Sequence, residues 1–237
     1  MLRGAVLVAM LATGCGRLGF GEDGPPIEDG LVGYWKLDDT RFLDSSGYGN
    51  PANTCYDGCP TLAPGVRGMA ADFHDAEGLE VGTVAPLSGL SQSLTLAAWV
   101  NLRSFTDYGV VISTDRDCCE TQNGFSLWAS LFQLQARMHL WNQSSTAVGP
   151  VILPTNTWVF LVGTYDGQTA ALYADGVIQT TVTHADAIGL PHSYPLRIGH
   201  PGYDFGGGLD GLVDEVMIFD RALSDAEITT IYTALKP

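Results

Sequence analysis

Positive charge is scarce in this 237-residue chain: 11 Lys and Arg stand against 26 Asp and Glu, a formal net charge of −15. Such a surface repels nucleic acid and anionic lipid headgroups, which excludes nucleic acid as a partner. Helical periodicity is nearly absent, since only Ser224 to Leu235 keeps an apolar repeat near the helical period. The apolar stretch from Ala5 to Thr13 is too short to span a bilayer. Catalytic signatures are missing as well. The chain has only seven Glu and no Glu-x-Asp-x-x-Glu strand that would set two carboxylates about a glycosidic bond. It has no Gly-x-Ser-x-Gly elbow, and His74, His139, His184, His192 and His200 lack metal-ligand spacing, each reading as a surface or half-buried polar residue. The expectation is a chain without catalytic activity.

What is present is a series of short runs rich in β-branched and aromatic residues, broken by Gly, Pro, Asn and Asp clusters. Ser93 to Leu102, Gly109 to Ser113, Phe125 to Leu131, Leu134 to Trp141 and Trp158 to Tyr165 read as strands. Asp175-Gly176 between Ala171-Leu-Tyr and Val177-Ile-Gln-Thr predicts a type I′ hairpin, because both central positions need positive φ. Ser224 with Glu227 three residues on predicts a capping box opening a short closing helix. The fold class is therefore all-β, an antiparallel β-sandwich with a short C-terminal helix, and one such domain uses the whole chain.

Several segments carry a resemblance. Gly30-Leu-Val-Gly-Tyr-Trp-Lys-Leu-Asp-Asp39 followed by Asp44-Ser-Ser-Gly-Tyr-Gly-Asn50, then Ser93 to Val100, Thr157 to Gly167, Ala171 to Val177 and Gly206 to Tyr232, occur in the order found in one family. The chain resembles the laminin-G-like, concanavalin A-like jelly-roll domains of bacterial surface proteins from about Leu31 onward. The resemblance implies that Trp35, Trp99 and Trp158 belong to the core. It leaves function open, because a shared fold does not fix what the site binds.

The amino end reads as a targeting segment. Arg3 precedes the apolar stretch, and Ala12-Thr-Gly-Cys15 resembles a bacterial lipoprotein cleavage box, with Cys15 as the lipidated residue. Gly16 after the cysteine points by analogy to the outer membrane. The expected organisation is a lipoprotein signal over residues 1–14, a flexible tether over 15–30 and the jelly roll over 31–237, the chain meeting the membrane through a lipid anchor only. A plain secretory signal is the alternative. Without Cys15, the cysteines are Cys55, Cys59, Cys118 and Cys119, an even number suited to disulfides after export. Two cross-links between the 55–59 and 118–119 loops are favoured, since adjacent cysteines pair with strain, although the connectivity stays open. A four-cysteine zinc site is the alternative.

Asp214 stands out in the run Leu212 to Phe219. With period two it shares a face with Leu212, Val216 and Ile218, which places a carboxylate in a core register, where it needs a cation or several hydrogen-bond donors. The resemblance implies one structural Ca²⁺ between the last strand and the first, with Asp38, Asp44, Asn50 and Asp214 as ligands and Asp39 as a substitute for Asp38. The competing reading makes Asp44 a turn residue that caps backbone amides.

Trp128 and Trp141 match no core signature of the family. They lie on consecutive predicted strands, and with Gln133, Gln135, Arg137 and Asn142 nearby they form a candidate glycan platform, an aromatic face for sugar CH groups beside polar partners for hydroxyls. Tyr194, His200, Tyr203 and Asp204 are candidates for a rim. The partner expected is a glycan or glycoprotein. A cell-envelope protein-interaction domain is the first alternative and an unrecognised glycoside hydrolase the second. Exposed Trp128 and Trp141 favour the glycan reading; buried ones favour protein recognition.

Overall fold

The computed structural model describes residues 24–74, 76–82, 87–114, 123–131, 135–142, 144–184, 186–189, 195–201 and 207–237. In chain order the strands are β1 Leu31–Trp35, β2 Thr54–Tyr56, β3 Thr61–Pro64, β4 Met69–Phe73, β5 Gly78–Val81, β6 Leu94–Leu102, β7 Tyr108–Ser113 and β8 Asn123–Leu131. Then come β9 Gln135–Asn142, β10 Ser144–Ile152, β11 Val159–Tyr165, β12 Thr169–Ala174, β13 Val177–Thr183, β14 Leu196–Ile198, β15 Gly211–Phe219 and the helix α1 Asp225–Leu235. An eight-stranded sheet runs β13-β12-β11-β6-β15-β4-β3, with β1 added along β15; a seven-stranded sheet runs β10-β9-β8-β7-β14-β5-β2. This is the antiparallel sandwich with a C-terminal helix that the strand pattern predicts.

Central strands of the larger sheet are apolar on both faces because each face meets a different core. In β6, Leu94, Leu96, Ala98, Val100 and Leu102 enter the core between the sheets, while Ala97 and Trp99 point to the back. In β11, Leu161 faces inward and Phe160 and Val162 face the back, where Ile228, Ile231 and Leu235 of α1 cover them. Trp35 lies in the intersheet core and Trp99 in the second cluster, while Trp158 is partly buried and packs against the latter. The helix starts as predicted: Ser224 Oγ accepts from the Glu227 amide at 3.4 Å, and Glu227 Oε2 accepts from the Ser224 amide at 2.8 Å. Arg221, 2.6 Å from Glu227, and these Ser224 bonds hold the Glu227 carboxyl down to about 2. The hairpin is also as predicted, with φ of +51° at Asp175 and +77° at Gly176.

Four expectations are corrected. The first concerns β15, where register shifts between Asp214 and Met217 and Glu215 takes φ +52°. This bulge breaks the two-residue alternation, so Val213, Val216 and Ile218 share the intersheet face while Asp214 pairs across from back-facing Trp99. Second, Cys55 pairs with Cys59 within its own loop, Cα atoms 5.0 Å apart, and not with the 118–119 loop. Asp57 and Gly58 at φ +49° and +125° turn the chain back tightly enough to bring the two thiols together. Cys118 and Cys119 lie outside the described residues, as does Cys15. Third, the expected tether ends earlier: Pro25 is buried, Ile27 packs on the second cluster, and the Asp29 carboxylate lies 3.0 Å from Arg221 Nε. Fourth, His184 and His200 are buried and not surface residues. A strand missed in the sequence, β10, contains Pro150; it is tolerated because β10 is an edge strand and its register skips between Val148 and Val151.

Candidate functional site

The two sheets differ on their outer faces. Apolar packing under α1 covers the back of the eight-stranded sheet, whereas the outward positions of the seven-stranded sheet are polar and aromatic. Short strands build this asymmetry by alternation. Leu196 and Ile198 face the core and Arg197 faces out; Leu79 and Val81 face in and Glu80 out; Ala136, Met138 and Leu140 face in, leaving Gln135, Arg137, His139 and Trp141 outward.

Register then aligns these residues across the sheet. Thr54 pairs with Glu80, Glu80 with Arg197, Arg197 with Ser113, Ser113 with Ser126, Ser126 with His139, and His139 with Ala147. Directly opposed residues of antiparallel strands share a face, so this is one continuous row. Rings flank it at both ends. Arg197 pairs with Glu80 at 2.8 Å and lies 5.3 Å from the Tyr56 ring centroid, and Tyr56 meets the His200 ring at 4.6 Å. At the other end Tyr108 and Trp128 lie 6.1 Å apart, Trp128 and His139 6.1 Å, and His139 stacks on Trp141 at 5.4 Å.

Trp128 is 3% exposed and its Nε1 donates to Ser126 Oγ at 2.7 Å. It is on the anticipated face yet is floor, not an open stacking surface, and the expectation of an exposed platform fails for it. Trp141 is half-buried, as are Gln135 and Arg137. Trp141 Nε1 and both ring nitrogens of His139 are buried without a hydrogen-bond partner. Burial, reinforced by the Arg137 charge, pushes the His139 imidazole down to about 4, so it is neutral at physiological pH and offers one donor and one acceptor. Asn142 Nδ2 donates to the Ala187 carbonyl at 3.0 Å. His200 of the expected rim belongs to the Tyr56 end; Tyr194, Tyr203, Asp204 and Gln133 lie outside the described residues. Sequence reasoning missed Tyr56, Glu80, Tyr108, Ser126, His139 and Arg197. A signal existed: a single charged residue between two apolar ones in Leu79-Glu-Val81 and Leu196-Arg-Ile198 marks a strand with one wet face.

The residues expected to hold Ca²⁺ do other work. Asp44 Oδ1 accepts from the Tyr34 and Ser46 amides at 3.1 and 2.8 Å, and Oδ2 from the Asn50 amide at 3.0 Å. Asp214 Oδ2 accepts from the Val66 and Arg67 amides at 2.8 and 3.1 Å, and Oδ1 from Glu215 at 2.8 Å. Asp38 Oδ1 accepts from the Met69 amide at 2.8 Å, beside a shallow cleft of about 170 Å³ that it lines with Lys36, Asp39, Phe42 and Ser45. Asp39 is bound to Arg41 at 2.6 Å. Asn50 Oδ1 is the exception, a buried oxygen with no partner. Among the described residues no three His, Cys, Asp or Glu side chains gather about a point that suits a metal. A hard cation needs six to eight oxygens, and Asp38, Asp44 and Asp214 each serve a separate set of backbone amides, so these side chains are not gathered into one donor set. Adding EDTA or millimolar Ca²⁺ is expected to move the melting temperature by less than about 1 °C; a rise of several degrees with Ca²⁺ would restore the cation.

Comparison with known proteins agrees with the fold. Several solved structures superimpose on the chain. Domain 4 of AbnA, a GH43 extracellular arabinanase from Geobacillus stearothermophilus in complex with arabinotriose, matches with TM-score 0.69 and 19% identity, over 85% of this chain and 97% of that domain. The binding domain of botulinum neurotoxin DC in complex with SialylT matches with TM-score 0.67 and 15% identity, over 88% of this chain and 52% of that one. The serotype C1 binding domain gives 0.66, 12%, 89% and 53%, so this chain spans about half of each toxin domain. At such identities the likeness is one of fold. Comparison with curated proteins returns no match. The Laminin G 3 family model, described as the concanavalin A-like lectin/glucanases superfamily, matches residues 75–229. That match covers more than half of the chain, which therefore belongs to the concanavalin A-like lectin/glucanase superfamily.

Proposed function

We propose that the chain is an exported carbohydrate-binding module without catalytic activity, holding an oligosaccharide along the outer face of the seven-stranded sheet near Trp141. One observation carries the reading: a register-aligned polar row from Glu80 to His139, flanked by aromatic rings, occupies the one sheet face that α1 does not cover. Sugars need that mixture, rings for their CH faces and directional partners for their hydroxyls. Neighbours of the same fold include domains solved with arabinotriose and with SialylT, which supports the ligand class. The lack of turnover is supported by Glu80, the carboxylate of the row, being tied to Arg197 where a hydrolase needs two free acids facing the scissile bond. Export rests on the amino-terminal segment with Cys15 as the proposed lipid anchor, placing the domain in the cell envelope. Among the described residues no helix is long and apolar enough to cross a membrane. The buried Trp128 favours protein recognition as the second reading.

Titration of the purified protein against a panel of oligosaccharides decides. Wild type is expected to bind at least one, and Trp141→Ala to weaken that binding by about tenfold or more, roughly 1.4 kcal/mol, with little change in melting temperature. Equal affinity in the variant, or a panel without a binder, would remove the reading.

A further inference from the structure

Among the described residues four arginines pair with carboxylates: Arg41 with Asp39, Arg103 with Asp72 and Asp210, Arg197 with Glu80, and Arg221 with Asp29 and Glu227. Arg137 does not. Its described bond is Nη2 to the neutral Gln135 Oε1 at 3.1 Å. In a chain with 26 acidic side chains, counter-ions are abundant, so a half-buried guanidinium with no carboxylate partner among the described residues stands apart from those four arginines. The fold makes room for it: a Cβ at Gly149 would lie 2.9 Å from Arg137 Cγ and 2.8 Å from the Ala136 carbonyl oxygen. Its neighbours on the same face are Trp128 across the strand pair and His139 two residues on, neither of which carries negative charge.

From Gln135 to Trp141 the outward side chains of β9 follow one another over about 20 Å, at roughly 3.4 Å per residue, the reach of an oligosaccharide and not of a single ring. Arg137 therefore presents unpaired N–H edges part of the way along a sugar-length strip that ends in the His139–Trp141 stack. A planar carboxylate satisfies such a fork with two parallel bonds, and a neutral hydroxyl does not. The charge of −15 opposes approach from a distance, but at physiological salt charges more than about 8 Å away are largely screened, leaving the local guanidinium to decide.

Resting on the reading of this face as a glycan site, we propose that it selects acidic saccharides, with the sugar carboxylate docked on Arg137. The test is calorimetric titration with an oligogalacturonate and with sialyllactose, each beside its uncharged counterpart, against wild type, Arg137→Gln and Arg137→Lys. In wild type at least one acidic ligand binds about tenfold more tightly than its neutral form, and which of the two does so names the source of the carboxylate. Arg137→Gln erases that preference, so that acidic and neutral forms bind within about twofold of each other, and Arg137→Lys restores only part, because an ammonium lacks the fork. Tighter binding of both neutral forms, or an acid preference that survives in Arg137→Gln, overturns the inference and leaves the glycan site standing. Absence of binding to every saccharide overturns both.

Discussion

Replacing Asp214 with alanine lowers the stability of the folded chain by about 3 kcal/mol, read by urea denaturation at pH 6, because three backbone amides lose their acceptor at roughly 1 kcal/mol or more each. Those amides belong to Val66, Arg67 and Glu215, and Asp214 itself is fully buried. The loop they come from is shaped for the carboxylate: a Cβ on Gly65 would sit 2.5 Å from Asp214 Oδ2. Asp214→Asn keeps one acceptor oxygen and is expected to lose less. A loss below about 1 kcal/mol in the alanine variant would show that water replaces the carboxylate at no cost.

Titration of this group has an unusual sign. Burial, with repulsion from buried Glu215 alongside, pushes the Asp214 carboxyl up to about 8 against the pull of its three amides. Burial raises Glu215 too, while Tyr34, whose hydroxyl donates to Glu215 Oε2, pulls it back. Between the unfolded value of 3.8 and about 8 the folded chain thus holds more protons than the unfolded one, and stability falls as pH rises through that window. In Asp214→Asn the slope flattens, and an unchanged slope would assign the effect elsewhere.

How much of this was legible in the sequence depends on how local each cause is. The Asp175-Gly176 hairpin, the Ser224–Glu227 box and the two-sided apolar strands β6 and β11 follow from neighbouring residues, and the structure has them where the pattern puts them. The face of Asp214 did not, because one positive φ at Glu215, a residue with no particular taste for it, inverts the alternation that a period-two reading assumes. The Cys55–Cys59 pairing was obscured by the even count with Cys118 and Cys119, although Asp57-Gly58 between them is itself a turn signal. For the candidate site, Trp141, Gln135 and Arg137 could be placed on one strand face from β9 alone, and they are there. Glu80, Arg197 and Tyr56 could not be joined to them, since the row depends on register among strands from β2 to β14 that no local signal encodes.

Trp128→Ala is expected to cost about 3 to 5 kcal/mol of stability, the range for deleting a buried tryptophan, and to do so whatever the chain binds. The ring is in contact with Tyr108 on one side and His139 on the other, so its removal leaves a gap in the middle of the aromatic strip, and Ser126 Oγ loses its donor. Trp128→Phe keeps most of the apolar area and loses only the Nε1 bond, so it should recover the larger part. This separates two tryptophans that sequence alone treated as a pair. Trp141→Ala changes affinity with little loss of stability, whereas Trp128→Ala changes stability first, and its effect on binding follows through the displacement of His139 against Trp141. Urea midpoints for the three variants, measured with saccharide titrations at a temperature where each is fully folded, test the division. Trp128→Ala with wild-type stability and abolished binding would reverse the roles and make Trp128 the residue that touches ligand.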